Sequence, residues 1–214
     1  MSAVSLKLNK MHFPVTTLGP GKRIGLWFNG CSIQCEGCIS RDTWEFSESS
    51  RVELSAVIEV LETWLPQAQG LTISGGEPFD QAGALDELLS WFERRRGERE
   101  VLVYSGYEFS VLSRRHGALL GKIDALVSGP YDVNSGQSKS WWGSDNQQLH
   151  LLSERARIRY AELEEAEGPQ RKLDVFEQDG QWWFAGIPRS EDWLKMHGML
   201  EQKGVSGKFS HAEC

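Results

Sequence analysis

Two rhythms of apolar residues alternate along this chain. Short unbroken runs, Arg23–Phe28 (RIGLWF), Leu71–Ser74, Val101–Tyr104 and Ile123–Val127, read as buried strands. Between them apolar residues return every three or four positions. Leu54, Val57, Ile58, Leu61, Trp64 and Leu65 share one helical face that Pro66 ends. Leu85, Leu88, Leu89 and Phe92 do the same within Ala82–Arg95, and Phe109–Arg115 is a shorter helix. Strand, helix, strand in regular alternation predicts an α/β fold with a parallel sheet and crossover helices. Gln147–Leu152 reads as one more strand. Residues 1–21, broken by Pro14 and Gly19-Pro20-Gly21, read as irregular.

The texture then changes. Glu154–Glu167 is charged and helix-prone, with Gly168-Pro169 closing it. Leu173–Glu177 and Gln181–Ala185 flank an Asp179-Gly180 turn, the mark of a hairpin. Ser190–Lys203 is a helix with Ser190 as its N-cap. Residues 12–155 therefore read as a core domain, and 156–214 as a small α+β appendage.

Loops after parallel strands are where such folds collect their chemistry. The first of these loops holds Cys31, Cys35 and Cys38, spaced four and three residues apart. A [4Fe–4S] cluster takes one thiolate per iron, so three local cysteines leave one iron open to a ligand. Zinc is the alternative, with His12, His116 or Cys214 as fourth donor, and would make the chain a metal-stabilised binding module. A dithiol at Cys35 and Cys38 would leave Cys31 without a role. The second strand ends in Gly75-Gly76-Glu77-Pro78, whose glycines let a ligand approach the backbone closely.

The cysteine triplet followed by Gly-Gly-Glu-Pro resembles the radical S-adenosylmethionine superfamily. Within it the chain is similar to the glycyl-radical-enzyme activases, most of all those of anaerobic ribonucleotide reductase. Gly19-Pro20-Gly21-Lys22-Arg23, Asn29-Gly30-Cys31, Thr43-Trp44, Ser105-Gly106-Tyr107, Leu126-Val127-Ser128-Gly129 and Trp142-Gly143-Ser144-Asp145-Asn146-Gln147 extend the resemblance over roughly residues 12–155. It departs from the activase pattern at Ser128, Trp142 and Asp145, where an Asp, an Arg and a Ser are common.

The resemblance implies a partial (β/α) barrel and a [4Fe–4S] cluster on Cys31, Cys35 and Cys38, with S-adenosylmethionine on the open iron. Gly37 and Ile39 match backbone positions that meet S-adenosylmethionine. Gly75, Gly76 and Glu77 match the turn that receives its amino group. Ser105 and Tyr107 match positions near its ribose or methionyl part. On this reading, a side chain at Gly76 should obstruct S-adenosylmethionine while the cluster still assembles. The implied reaction is reductive cleavage to a 5′-deoxyadenosyl radical, with an electron from a flavodoxin or ferredoxin. That radical would take a hydrogen atom from a glycine of a partner enzyme, or from a small molecule or peptide.

Composition narrows the setting. The net charge of −7 argues against a general nucleic-acid surface. No apolar stretch reaches the ~18 residues of a membrane span, and the first ten residues lack a signal-peptide core. Cysteines crowded into one loop make a poor disulfide framework, which points to a reducing cytoplasm. In the pairs Trp141-Trp142 and Trp182-Trp183 only one ring of each need be core. His12, His116, His150, His197 and His211 lack ligand spacing to one another.

Overall fold

A computed structural model describes residues 4–139, 141–164, 172–178 and 181–202. The main sheet has seven strands, in the order β3-β1-β2-β4-β5-β6-β7. Its parallel centre is β2 (Arg23–Phe28), β4 (Gly70–Gly75), β5 (Glu100–Tyr104) and β6 (Ala125–Ser128). Helices α1 (Leu54–Trp64), α2 (Ala82–Glu93) and α3 (Phe109–Leu120) connect these strands in order. Strands β1 (Ser5–Val15), β3 (Arg51–Glu53) and β7 (Gln148–Leu151) pair antiparallel at the two sides.

The strand β1 contradicts the irregular reading of residues 1–21. Leu6 and Leu8 face the core, and so do Met11 and Phe13, which are out of phase with them. A register shift between Leu8 and Lys10 accounts for the change of phase. A bulge adds one residue to one strand and so inverts the period-two pattern beyond it. Read without the bulge, the segment shows no consistent alternation.

Alternate residues of each central strand face opposite sides of the sheet. One side, carrying Ile24, Leu26, Leu71, Ile73, Val101, Val103 and Leu126, packs on the helix stripes Leu54-Val57-Leu61 and Leu85-Leu88-Leu89-Phe92. The other side is more varied. Arg23, fully buried, forms an ion pair with Glu100 and donates to Thr72 and to the carbonyl of Leu71. Leu102, Ala125 and Val127 on this side are covered by Ala156 and Tyr160 of α4 (Glu154–Glu164).

A two-stranded hairpin, β8 (Leu173–Gln178) and β9 (Gln181–Gly186), covers the same side near β1 and β2. Ala185 joins Val15, Leu18 and Trp27 in a third apolar cluster, with Trp183 packed against it. Trp182 is 44% exposed, so this aromatic pair divides between core and surface as strand alternation requires. Trp141 and Trp142 instead both pack against the cluster under α4, outside any strand. Helix α5 (Ser190–Gln202) follows the hairpin. The Gly168-Pro169 stop, the Asp179-Gly180 turn, Lys203, His211 and Cys214 lie outside the described residues. Among the described residues no helix is long and apolar enough to cross a membrane.

Candidate cofactor site

The C-terminal ends of β2, β4 and β5 open onto one cavity of about 870 Å³. Cys31, Cys35 and Cys38 line it, together with Gly37, Ile39, Gly75, Gly76, Glu77 and Ser105. These expected positions are therefore brought together. Tyr107 is not among the lining residues. Its hydroxyl donates to Asp80 (2.8 Å) and lies 3.0 Å from the Ser32 hydroxyl. Ser32 in turn gives both its amide (2.8 Å) and its hydroxyl (3.0 Å) to the Asp80 carboxylate. Tyr107 thus braces the back of the cysteine loop against the turn after β4.

The loop is built from backbone bonds at its root. The Gly30 amide donates to the Thr43 carbonyl (2.7 Å) and the Cys31 amide to that of Trp44 (3.0 Å). The turn after β4 docks on the same root. Gly76 donates its amide to the Phe28 carbonyl and Glu77 its amide to the Gly30 carbonyl, each at 2.8 Å. A Cβ on Gly76 would collide with the Gly30 backbone, and the Thr43 carbonyl oxygen would lie at 2.9 Å. The glycine therefore serves loop-to-turn packing, and a side chain there would press on the root of the cysteine loop.

Gln81, which the sequence did not single out, completes this joint. Its side chain accepts from the Lys7 amide (2.6 Å) and donates to the carbonyls of Lys7 and Asn29, both at 3.0 Å. A glutamine just after a Gly-Gly-Glu-Pro turn has no periodic signature, so only its partners reveal it.

Glu77 is fully buried. Burial pushes its carboxyl up to about 7, against the pull of hydrogen bonds from the Phe79 amide, the Gly106 amide and the Ser105 hydroxyl. Those donors lie at 3.0, 2.8 and 3.0 Å. The side chain joins the end of β4 to the end of β5 and holds the two loops in register.

Around the sulfurs, burial pushes the Cys31 and Cys35 thiols up, while backbone amides pull the other way: Gln34 and Ile33 at Cys31, and Tyr131 at Cys35. The Ser40 amide lies 3.4 Å from the Cys38 sulfur. Amides directed at sulfur are how a protein stabilises and tunes a thiolate-bound cluster. Among the described residues no group of three or more His, Cys, Asp and Glu is placed to hold a metal ion. The three thiols share the cavity wall, and a [4Fe–4S] cluster would take them one per iron. Of the alternative zinc donors, His12 packs on Phe176 (3.9 Å between centroids) and His116 on Phe79 (5.4 Å), and Cys214 lies outside the described residues.

The three departures from the activase pattern have local partners. The Ser128 hydroxyl lies 2.9 Å from His150 Nε2, and the His150 ring stacks on Phe109. Trp142 packs beneath α4. Asp145 accepts from the amide (2.7 Å) and hydroxyl (2.8 Å) of Ser138, pinning the loop between β6 and β7.

Residues 17–150 match the family of 4Fe–4S single cluster domains, and the chain belongs to that family. Its similarity runs further, to proteins named anaerobic ribonucleoside-triphosphate reductase-activating protein. That of Enterobacteria phage T4 is 34% identical over 135 residues, covering 61% of this chain and 85% of the phage protein. The Vibrio cholerae protein is 31% identical over 151 residues, and the Escherichia coli K12 protein 29% over 150, each covering 66% of this chain and 96% of the relative. Among solved structures, QueE from Escherichia coli aligns with 48% of this chain and 52% of its own, at 20% identity and a TM-score of 0.41. The resemblance to radical S-adenosylmethionine activases is thus met in the comparisons, with a [4Fe–4S] cluster and S-adenosylmethionine as cofactors and an enzyme rather than a zinc-stabilised module.

Proposed function

We propose that this chain activates a glycyl-radical enzyme, anaerobic ribonucleotide reductase being the partner its named relatives favour. In this reading Cys31, Cys35 and Cys38 each ligate one iron, and the Gly75-Gly76-Glu77 turn receives the amino-acid end of S-adenosylmethionine. Gly37, Ile39 and Ser105 flank that ligand on the same cavity, and Tyr107 supports it from behind. The sheet acts as a partial (β/α) barrel within a core of residues 12–155, with 156–214 as the appendage. A flavodoxin or ferredoxin supplies the electron, in the cytoplasm.

When bound, the cluster and S-adenosylmethionine supply a 5′-deoxyadenosyl radical able to take a hydrogen atom from a glycine Cα. The chain's own part is to position and to shelter. Glu77 and Ser105 lock the strand ends so that the cysteine loop and the Gly-Gly turn keep one spacing. Trp27 and the hairpin form the cavity wall on the β1–β2 side. No side chain is required as a general acid or base.

The observation that carries this reading is the docking of the turn on the root of the cysteine loop, which gives thiols and turn a common cavity. The test is anaerobic reconstitution with iron and sulfide, then incubation with reductant, S-adenosylmethionine and the anaerobic ribonucleoside-triphosphate reductase of the same organism. Formation of 5′-deoxyadenosine together with a glycyl-radical resonance on the reductase is the expected result. Failure to cleave S-adenosylmethionine would remove the enzyme reading. Cleavage without a radical on the reductase would remove the partner.

A further inference from the structure

The hairpin β8–β9 lies beyond the residues that match the family, yet it forms part of the cavity wall. It is held firmly in place. The Asp174 carboxylate accepts from the Thr16 amide (2.6 Å), the Thr16 hydroxyl (2.8 Å) and the Thr17 hydroxyl (3.0 Å). The Thr17 hydroxyl is also 3.0 Å from the Ala185 carbonyl, in a buried setting. Trp183 meets Trp27 edge to face, with 5.6 Å between centroids, and Lys10 lies over its ring at 5.6 Å.

These contacts occupy one face of the hairpin. The register pairs Val175 with Phe184 and Glu177 with Trp182 on the other face, where Val175 is 47% and Trp182 44% exposed. Trp182 and Phe184 also line the cavity. A residue that lines a cavity and faces solvent sits at its rim. Past the hairpin, the Arg189 guanidinium donates to the carbonyl of Gln137 (2.9 Å), another lining residue. The hairpin's exit is thus joined to the loop between β6 and β7, and the wall is continuous there.

The chemistry of this rim is selective. Strand β9, Gln181–Gly186 (QWWFAG), carries no charge. Aromatic rings offer large contact area at small entropic cost and pack well on peptide planes and Cα–H groups. An extended polypeptide segment finds in Trp182 and Phe184 an apolar surface for its peptide planes, with Glu177 paired across from Trp182 at the edge.

We propose that Trp182, with Phe184 beside it, is a specificity-determining residue. It forms the aromatic rim against which the partner's glycine-bearing segment lies as it enters the cavity. The inference rests on the activase reading above and assigns the post-150 hairpin to partner selection. The hairpin lies outside residues 17–150 that match the family, and the Vibrio cholerae and Escherichia coli relatives are matched over 96% of their length by 66% of this chain.

The test uses the full-length, cluster-loaded protein with the anaerobic ribonucleoside-triphosphate reductase of the same organism. Trp182→Ala should raise the reductase concentration giving half-maximal radical formation about tenfold, the scale of an aromatic contact at an interface. The limiting rate should hold, and Trp182→Phe should restore most of the loss. A separate readout needs no activity: cluster-free protein with Trp182→p-benzoylphenylalanine should photo-crosslink to the reductase. If wild-type protein installs the radical while Trp182→Ala has an unchanged half-saturation and no crosslink forms, this inference alone is overturned. If wild-type protein cleaves S-adenosylmethionine but installs no radical, the activase reading falls and the inference falls with it.

Discussion

The amide of Glu77 donates to the carbonyl of Gly30 at 2.8 Å, joining two loops 47 positions apart in the chain. One loop carries the cysteines and the other the Gly-Gly turn. The bond makes them a single structural unit, and the predictions below follow from how that unit and its surroundings are held.

Replacement of Gly76 should disable the site at an earlier stage than ligand binding. The Gly30 backbone lies where a Cβ would go, so Gly76→Val must push the cysteine loop off its seat. Reconstituted Gly76→Val protein should hold less than about half the wild-type iron and lose most of its absorbance near ~400 nm, the region of iron–sulfur charge transfer. Full iron content with S-adenosylmethionine affinity alone reduced would show that the loop tolerates the side chain.

Each of Cys31→Ala, Cys35→Ala and Cys38→Ala should abolish 5′-deoxyadenosine formation and reduce iron content, while Cys214→Ala should do neither. The three sulfurs share the cavity wall, and a cluster short of one thiolate is left with two open irons. Turnover by any one of the three variants would mean that its sulfur is not a ligand.

The ion pair of Arg23 with Glu100 lies on the cavity side of the sheet, with side-chain exposures of 0% and 1%. Removing one member strands the other charge, at a cost of about 3–5 kcal/mol. Glu100→Ala should therefore lower the unfolding free energy by roughly that amount. Chemical denaturation of the cluster-free protein measures it, and a change below about 1 kcal/mol would show the pair to be solvated.

Hairpin docking should weaken as pH falls. His12 packs against the rings of Phe176 and Trp183, and burial lowers its pKa from the ordinary 6.5 despite the opposing charge of Asp174. The undocked chain therefore binds the proton more readily. The contribution to docking is present above about pH 6.5 and is lost as pH falls through the lowered value. Hydrogen exchange of the segment 173–186, corrected for intrinsic rates, should show less protection at about pH 5.5 than at about pH 7.5. A pH-independent protection factor would mean that His12 stays neutral in both states.

The central strands, their crossover helices and the cysteine loop are local matters, and their residues announce them. Leu71–Ser74 is a strand because it is an apolar run bounded by glycine. The helix Leu54–Trp64 follows from its 3.6-residue stripe. The three cysteines and Gly75-Gly76-Glu77-Pro78 are contiguous motifs that survive any folding of the rest. Strand β1 was hidden because its bulge reverses the alternation midway, and a bulge is fixed by the partner strand rather than by the segment itself.

What only the tertiary structure decided is how distant pieces share space. It gave Gly76 a packing role that the motif does not announce, because the obstruction to a side chain there is the backbone of Gly30. It moved Tyr107 behind the loop, where Asp80 and Ser32 hold its hydroxyl. It also brought the hairpin, more than 130 residues after Cys31 in the chain, onto the cavity that Cys31 lines. Sequence pattern records which face of an element is apolar. It does not record which other apolar face will meet it, because that depends on the summed packing of every element at once.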